Sequence, residues 1–215
     1  MAESPPLAPL YRSWSRCLQG LAANGESKAL RNALITAWSA PIRYYHTLHH
    51  LSECLTLAEQ WLPSAQAPAE LEMAIWFHDA ICDPGADDNE ARSATWAVQA
   101  LHAAGVNPER IAAIEALILA TRHDTPPAGA DARSLADIDL AILGAPPTRF
   151  AQYEAEIRAE YAHISPALFR EGRRRVLARF LARDPLYLTA IGRKQFEAQA
   201  RANLKAALDN PNHPL

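Results

Sequence analysis

The sequence predicts an all-α protein, and three observations carry that reading. Only eight glycines occur in 215 residues. Alanine, leucine, arginine and glutamate, all good helix formers, dominate, and β-branched runs are scarce. Apolar residues recur at spacings of three and four along nearly the whole chain, with proline or glycine at the breaks. The expectation is a single compact domain over residues 1–215, a bundle of about ten helices with its core between about residues 10 and 208.

Each helix has its own signals. The first runs from Leu7 to Leu21, with Leu10, Trp14, Cys17, Leu18 and Leu21 on one side. Ser27 caps the second, which ends near Trp38 ahead of Pro41. Thr47 caps the third, which buries Leu48, Leu51, Leu55 and Ala58 and stops at Pro63. Pro68 suits the first position of a fourth, with Leu71, Ala74, Ile75 and His78 following. A loop at Asp83–Asp87 leads to a helix from Asp88 to Ala104, ended by Gly105. Asn107-Pro108 is a cap and first-position pair for a helix to about Arg122. After the Pro126-Pro127 loop, helices are expected over Ser134–Leu143, Thr148–His163, Ser165–Arg183 and Gly192–Leu208. The tail from Asn210 reads as frayed. Arg173-Arg174-Arg175 reads as a solvated helix face.

Composition narrows the function classes. A formal net charge of −3 leaves no electrostatic footprint for a large nucleic acid. The three cysteines, Cys17, Cys54 and Cys82, are far apart and form no C-x-x-C, so neither a disulfide framework nor a cysteine zinc site is expected. Residues Met1–Pro6 lack a basic and an apolar signal region, and no apolar stretch reaches membrane-spanning length. A cytoplasmic protein with no membrane partner is the expectation.

The residues that carry chemistry gather around Trp76-Phe77-His78-Asp79, at the end of an apolar run. Imidazole beside carboxylate is a first-row metal ligand pair, and a charge at the inner end of an apolar helix is costly unless paired or metal-bound. Upstream, His46, His49 and His50 fall within five residues, with His46 and His50 spaced to share one helix face. Downstream, Glu90 opens a helix and His123 follows one, positions where an acid or a base also simply suits the helix dipole. Asp137 and Asp139 stand in the apolar segment Leu135–Leu143, two residues apart and so facing different ways on a helix.

The ordered set His50, His78-Asp79, Asp139 resembles the HD superfamily of metal-dependent phosphohydrolases, closest to a small bacterial branch of HD-type proteins. The likeness rests on Arg43-Tyr-Tyr-His-Thr-Leu-His-His50, Trp76-Phe-His-Asp-Ala80 with Asp83-Pro84, Asp88-Asn-Glu90 with Ser93-Ala94, Thr121-Arg-His123 and Asp137-Ile-Asp-Leu-Ala-Ile-Leu-Gly144. It covers about Leu10 to Leu208 and implies an HD-type helical bundle. It also implies one divalent metal ion (Mn, Fe, Ni, Zn, Co or Mg) on His50, His78, Asp79 and Asp139, the second Asp of Asp-x-Asp being the ligand. His46 matches the proton donor of cyclic-nucleotide phosphodiesterases. Glu90 and His123 are the candidates near a metal-bound water or a second metal, and Arg43 or Arg122 for holding phosphate. The implied reaction is hydrolysis, by a metal-activated water, of a small phosphorylated substrate, with nucleotides among the candidates. The rival readings are a non-catalytic metal- or nucleotide-binding sensor and a di-iron oxygenase on the same fold.

Overall fold

The computed structural model describes residues 7–24 and 27–210. The readings of Met1–Pro6 and of the tail beyond Asn210 lie outside the described residues. Every regular element among the described residues is helical. None of these helices is long and apolar enough to cross a membrane. Contacts group the chain into two compact units, one ending at Ala136 and one beginning at Asp137.

The first unit contains α1 (Leu7–Gly20), α2 (Lys28–Trp38), α3 (Leu48–Trp61), α4 (Pro68–Phe77), α5 (Asn89–Ala103) and α6 (Pro108–Ala120). α4 is its axis, in contact with α1, α3, α5 and α6. All residues of α4 from Glu70 to Phe77 are buried. A helix apolar on every side is what such a central position requires. Its two acids do not stay bare. Glu72 pairs with Arg16 of α1, and Glu70 accepts from Arg110 of α6 at 2.5 Å. Each pair joins α4 to a different neighbour, and a buried carboxylate left alone there would be strongly destabilising.

Aromatic contacts complete the frame. Trp14 of α1 meets Trp76 of α4 edge-on at 5.1 Å, and Trp76 Nε1 donates to Ser13 Oγ at 3.0 Å. Trp38 of α2 donates its indole N–H to the Trp76 carbonyl at 3.0 Å. Gly20 ends α1 where a Cβ would run into the Ala69 methyl, so the close approach of α1 to α4 needs glycine there. Thr47 caps α3 and Asn107 caps α6 through their side chains, as expected. Ser27 and Asp88 make no such side-chain bond. Instead Asn89 grips the preceding loop, accepting from Asp83 N at 3.0 Å and donating to Asp83 O at 2.9 Å.

α7 spans Ala130–Asp139, earlier than the expected Ser134 start, and tightens into a 3₁₀ turn over Leu140–Gly144. In its first turn, Asp131 accepts from Gln66 N and Ala67 N at 2.9 and 2.7 Å, fixing the entry to α4.

The second unit holds that 3₁₀ turn, α8 (Pro147–Glu160), α9 (Pro166–Leu181) and a closing helical run. The run passes from Ala190–Gly192 through a π turn, Arg193–Glu197, into Ala198–Asp209. Two carboxylates organise it. Asp137 accepts from Leu188 N, Thr189 N and Thr189 Oγ1, each at 2.7 Å. Glu197 accepts from Leu186 N and Tyr187 N, each at 3.0 Å, and pairs with Arg201. Four successive backbone N–H groups are thereby shared between two acids. Gly192 fits against this arrangement because a Cβ would collide with Asp137 Oδ2.

The expected solvated face at Arg173-Arg174-Arg175 is only partly so. Arg173 is buried against Glu154, Arg174 donates to the Leu208 carbonyl, and Arg175 faces solvent beside Glu171. Residue 173 turns inward because the fully buried Glu154 on α8 needs a cation.

Two predictions follow from these acids. Asp137→Ala removes the acceptor for three donors and should lower unfolding stability by about 2–4 kcal/mol, read from urea midpoints. The charge of Glu197 gives a pH test. Burial pushes its carboxyl up, but the Tyr187 and Leu186 N–H groups and Arg201 outweigh burial and hold it below the usual 4.5. Its contribution is therefore complete above pH 4.5 and lost as pH falls through the lowered folded value. The stability difference between wild type and Glu197→Gln should shrink on acidification below that point; a constant gap would show that the charge contributes nothing.

Candidate metal centre

The centre is built where α4 ends. His78 follows Phe77 and still bonds back through its N–H to Ala74 O at 2.9 Å. Its ring is 1% exposed, and Nδ1 lies 2.8 Å from Ile75 O. A carbonyl accepts only from N–H, so Nδ1 carries the proton and Nε2 presents its lone pair. That lone pair faces His50 Nε2 at 3.3 Å and Asp79 Oδ2 at 3.2 Å. His50, 2% exposed, stands 3.8 Å from the same Oδ2. Asp79 is one residue past His78, on the turn that leaves the buried helix, and retains 20% of its side-chain exposure.

His78 Nε2 and Asp79 Oδ2 are electron-pair donors, and His50 Nε2 joins them as a third when its ring proton is on Nδ1. Crowded together without a cation they repel; around one they cooperate. The spacing fits such a role. A point equidistant from His50 Nε2, His78 Nε2 and Asp79 Oδ2 lies about 2.0 Å from each, the usual zinc–nitrogen and zinc–oxygen length. The donor set of two imidazoles and a carboxylate suits Zn, Fe, Mn, Co or Ni. The group could hold a metal ion.

Cys54 also belongs to this neighbourhood. Its sulfur lies 3.6 Å from His50 Nδ1 and 3.7 Å from Nε2, and ligand atoms of His50, Cys54 and His78 lie within 4.8 Å of one another. No C-x-x-C pair in the sequence points to it. The spacing of His50 and Cys54, four apart on α3, was the signal available. An aromatic wall supports the imidazoles. The Tyr45 ring is 4.7 Å from His50, and Trp38 is 5.5 Å from His78.

His46 joins the group from an unexpected direction. The spacing to His50 suggested a shared helix face, but α3 begins at Leu48 with Thr47 as its cap, so His46 is on the turn before it. The Thr47 backbone is extended, with φ −112° and ψ 179°, which interrupts helical geometry between the two histidines. From that turn His46 Nε2 still comes to 3.9 Å from Asp79 Oδ2, with a quarter of its side chain exposed. His49 points away, to Glu53 at 3.3 Å.

The remaining expected site residues are placed as follows. Arg43 is buried, and its guanidinium donates to the carbonyls of His46, Asp79 and Ala80 at 3.0, 2.7 and 2.8 Å. Those bonds are made to this chain's own backbone. Arg122 is exposed and pairs with Asp124 at 3.3 Å. Glu90 is in the first turn of α5, and His123 is in the turn after α6 with φ +56°. Asp139 is the last residue of α7, in the second unit. Its neighbour Asp137 is committed to Leu188 and Thr189, which takes that carboxylate out of consideration as a ligand. Comparison with protein-family models, curated proteins and solved structures gives no match.

A prediction follows from the crowded donors. Adding Zn²⁺ or Mn²⁺ to chelator-treated protein should raise its melting temperature, by an amount equivalent to about 2.7 kcal/mol at a hundredfold excess over Kd. His78→Ala should abolish the shift, whereas a shift that survives this change would place the ion elsewhere.

Proposed function

We propose that this chain belongs to the HD superfamily and hydrolyses a phosphate ester of a small molecule, with nucleotides among the candidates. In this reading a divalent metal is held by His50, His78, Asp79 and Asp139. A cytoplasmic address belongs to the same reading. The observation that carries it is the convergence of His50 Nε2, His78 Nε2 and His46 Nε2 on the single oxygen Asp79 Oδ2. Two of those imidazoles are buried and the third is partly exposed, which divides ligand from proton carrier. Asp139 enters from the motif resemblance, and the commitment of Asp137 elsewhere supports that choice.

When bound, the metal supplies Lewis acidity toward a phosphoryl oxygen and a water acidic enough to react near neutral pH. The chain's own residues do the rest. His78 is locked by Ile75 O in the tautomer that presents Nε2. His50 is held by α3 and the Tyr45 ring. His46, beside Asp79 but more exposed, donates a proton to the departing oxygen. Glu90 and His123 keep their place in this reading as the candidates near a metal-bound water or a second metal.

The test is a phosphate-release panel over nucleotides and sugar phosphates with added Mn²⁺, together with metal analysis by mass spectrometry. Turnover that disappears with the metal in Asp79→Ala supports the reading. Metal or nucleotide binding with no turnover of any substrate would favour the sensor. His46→Asn should keep its metal and lose about 10²–10⁴-fold activity on alkyl phosphates, but much less on nitrophenyl phosphate, whose leaving group needs no proton. Equal losses on both would remove the proton-donor role.

A further inference from the structure

His46 poses a structural problem. It lies on the turn before α3, so no helical hydrogen bond fixes it against Asp79, which leaves the far end of α4. One atom spans the gap. Arg43 Nη1 donates to His46 O at 3.0 Å and to Asp79 O at 2.7 Å, while Nη2 donates to Ala80 O at 2.8 Å. We propose that Arg43 is a positioning residue that registers His46 with Asp79, setting the reach of the imidazole without touching substrate. Its catalytic consequence rests on the function proposed above; its geometric consequence does not.

The support beneath Arg43 makes this register firm. The guanidinium carbon stands 5.3 Å from the centre of the Trp38 ring, a cation–π contact. Trp38 is itself fully buried and bonded to the Trp76 carbonyl at 3.0 Å. A chain of contacts thus runs from α4 through Trp38 and Arg43 back to both His46 and the residue after His78. Bonds from a charged donor in a buried setting are stronger than neutral ones, and the planar fork reaches several carbonyls together. A lysine there keeps the charge but presents one nitrogen, which cannot span the same three acceptors. His78 and His50 have anchors of their own, on Ile75 O and within α3, and Asp79, whose carbonyl also accepts from Arg43, follows directly on the anchored His78. Loss of Arg43 should therefore unfasten His46 before it releases the ligands.

The experiment compares wild type, Arg43→Lys, Arg43→Ala, His46→Asn and Arg43→Lys/His46→Asn as zinc-loaded full-length protein. In wild type, nuclear Overhauser contacts should join the His46 and His50 rings, whose centres are 6.0 Å apart. Arg43→Lys should keep its zinc and lose those contacts. Its activity on alkyl phosphates should fall about 10- to 100-fold, with a much smaller fall on nitrophenyl phosphate. The double variant should be no slower than His46→Asn alone, because both changes act through one group. Added guanidinium should restore part of the ring contact in Arg43→Ala. Ring contacts unchanged in Arg43→Lys overturn the proposal, as does an additive double variant. A wild type with no phosphatase activity defeats the proposed function, and the ring contacts then still decide the role of Arg43. If Arg43→Ala does not fold, Arg43→Lys decides alone; zinc loss in Arg43→Lys also overturns the proposal, since the arginine would then be supporting the ligands.

Discussion

The first unit depends on the complete burial of α4. Every residue from Glu70 to Phe77 is buried, so each polar group on that helix needs a partner inside the protein. Glu70 and Glu72 recruit arginines from α6 and α1; the Trp76 carbonyl recruits Trp38; the Trp76 indole recruits Ser13. The same demand extends past the end of the helix. His78 satisfies one nitrogen on Ile75 O and projects the other toward His50 and Asp79. The chemistry of the centre thus grows from satisfaction of the core, and a rigid core supplies the rigid geometry that a metal site needs.

The second unit solves a similar problem with acids placed against backbone. Asp137 and Glu197 divide the N–H groups of residues 186 to 189, a stretch with no helical partners of its own. The two acids differ in their balance. For Asp137 burial dominates and pushes the carboxyl up, against the N–H groups of Leu188 and Thr189. For Glu197 the bonds and Arg201 prevail over burial. Tyr187 between them is raised by burial and by the Asp137 charge.

Much of this was legible in the sequence, and the reasons for the rest are physical. Helix starts at Pro68, Pro108, Pro166 and Thr47 were readable because proline and threonine act locally on the backbone. His50, His78 and Asp79 were readable because ionisable residues on apolar runs need partners. The route of His46 was not, since a four-residue spacing implies a helix face only if both residues are helical, and Thr47 interrupts that. The burial of Arg43 against the carbonyls of His46, Asp79 and Ala80 was not legible either, since no local pattern encodes it. Arg173 was misread because the acid it answers lies nineteen residues away on another helix. In the sequence Asp139 is set apart from Asp137 by the motif resemblance alone; the partners of Asp137 at Leu188 and Thr189 lie too far along the chain to be read there.

The aromatic wall gives the centre an optical property. Trp38 lies 5.5 Å from His78 and 6.2 Å from His50, ring centre to ring centre, and its indole is bonded to the carbonyl of Trp76. An excited indole at that range can pass its energy to an open-shell ion that absorbs where indole emits, and not to a closed-shell one. Cobalt in the centre would dim the Trp38 share of the ultraviolet emission, and zinc would not quench it by this route. The packing that holds the imidazoles still would therefore also make the identity of an ion bound there visible as light, without any label added to the chain.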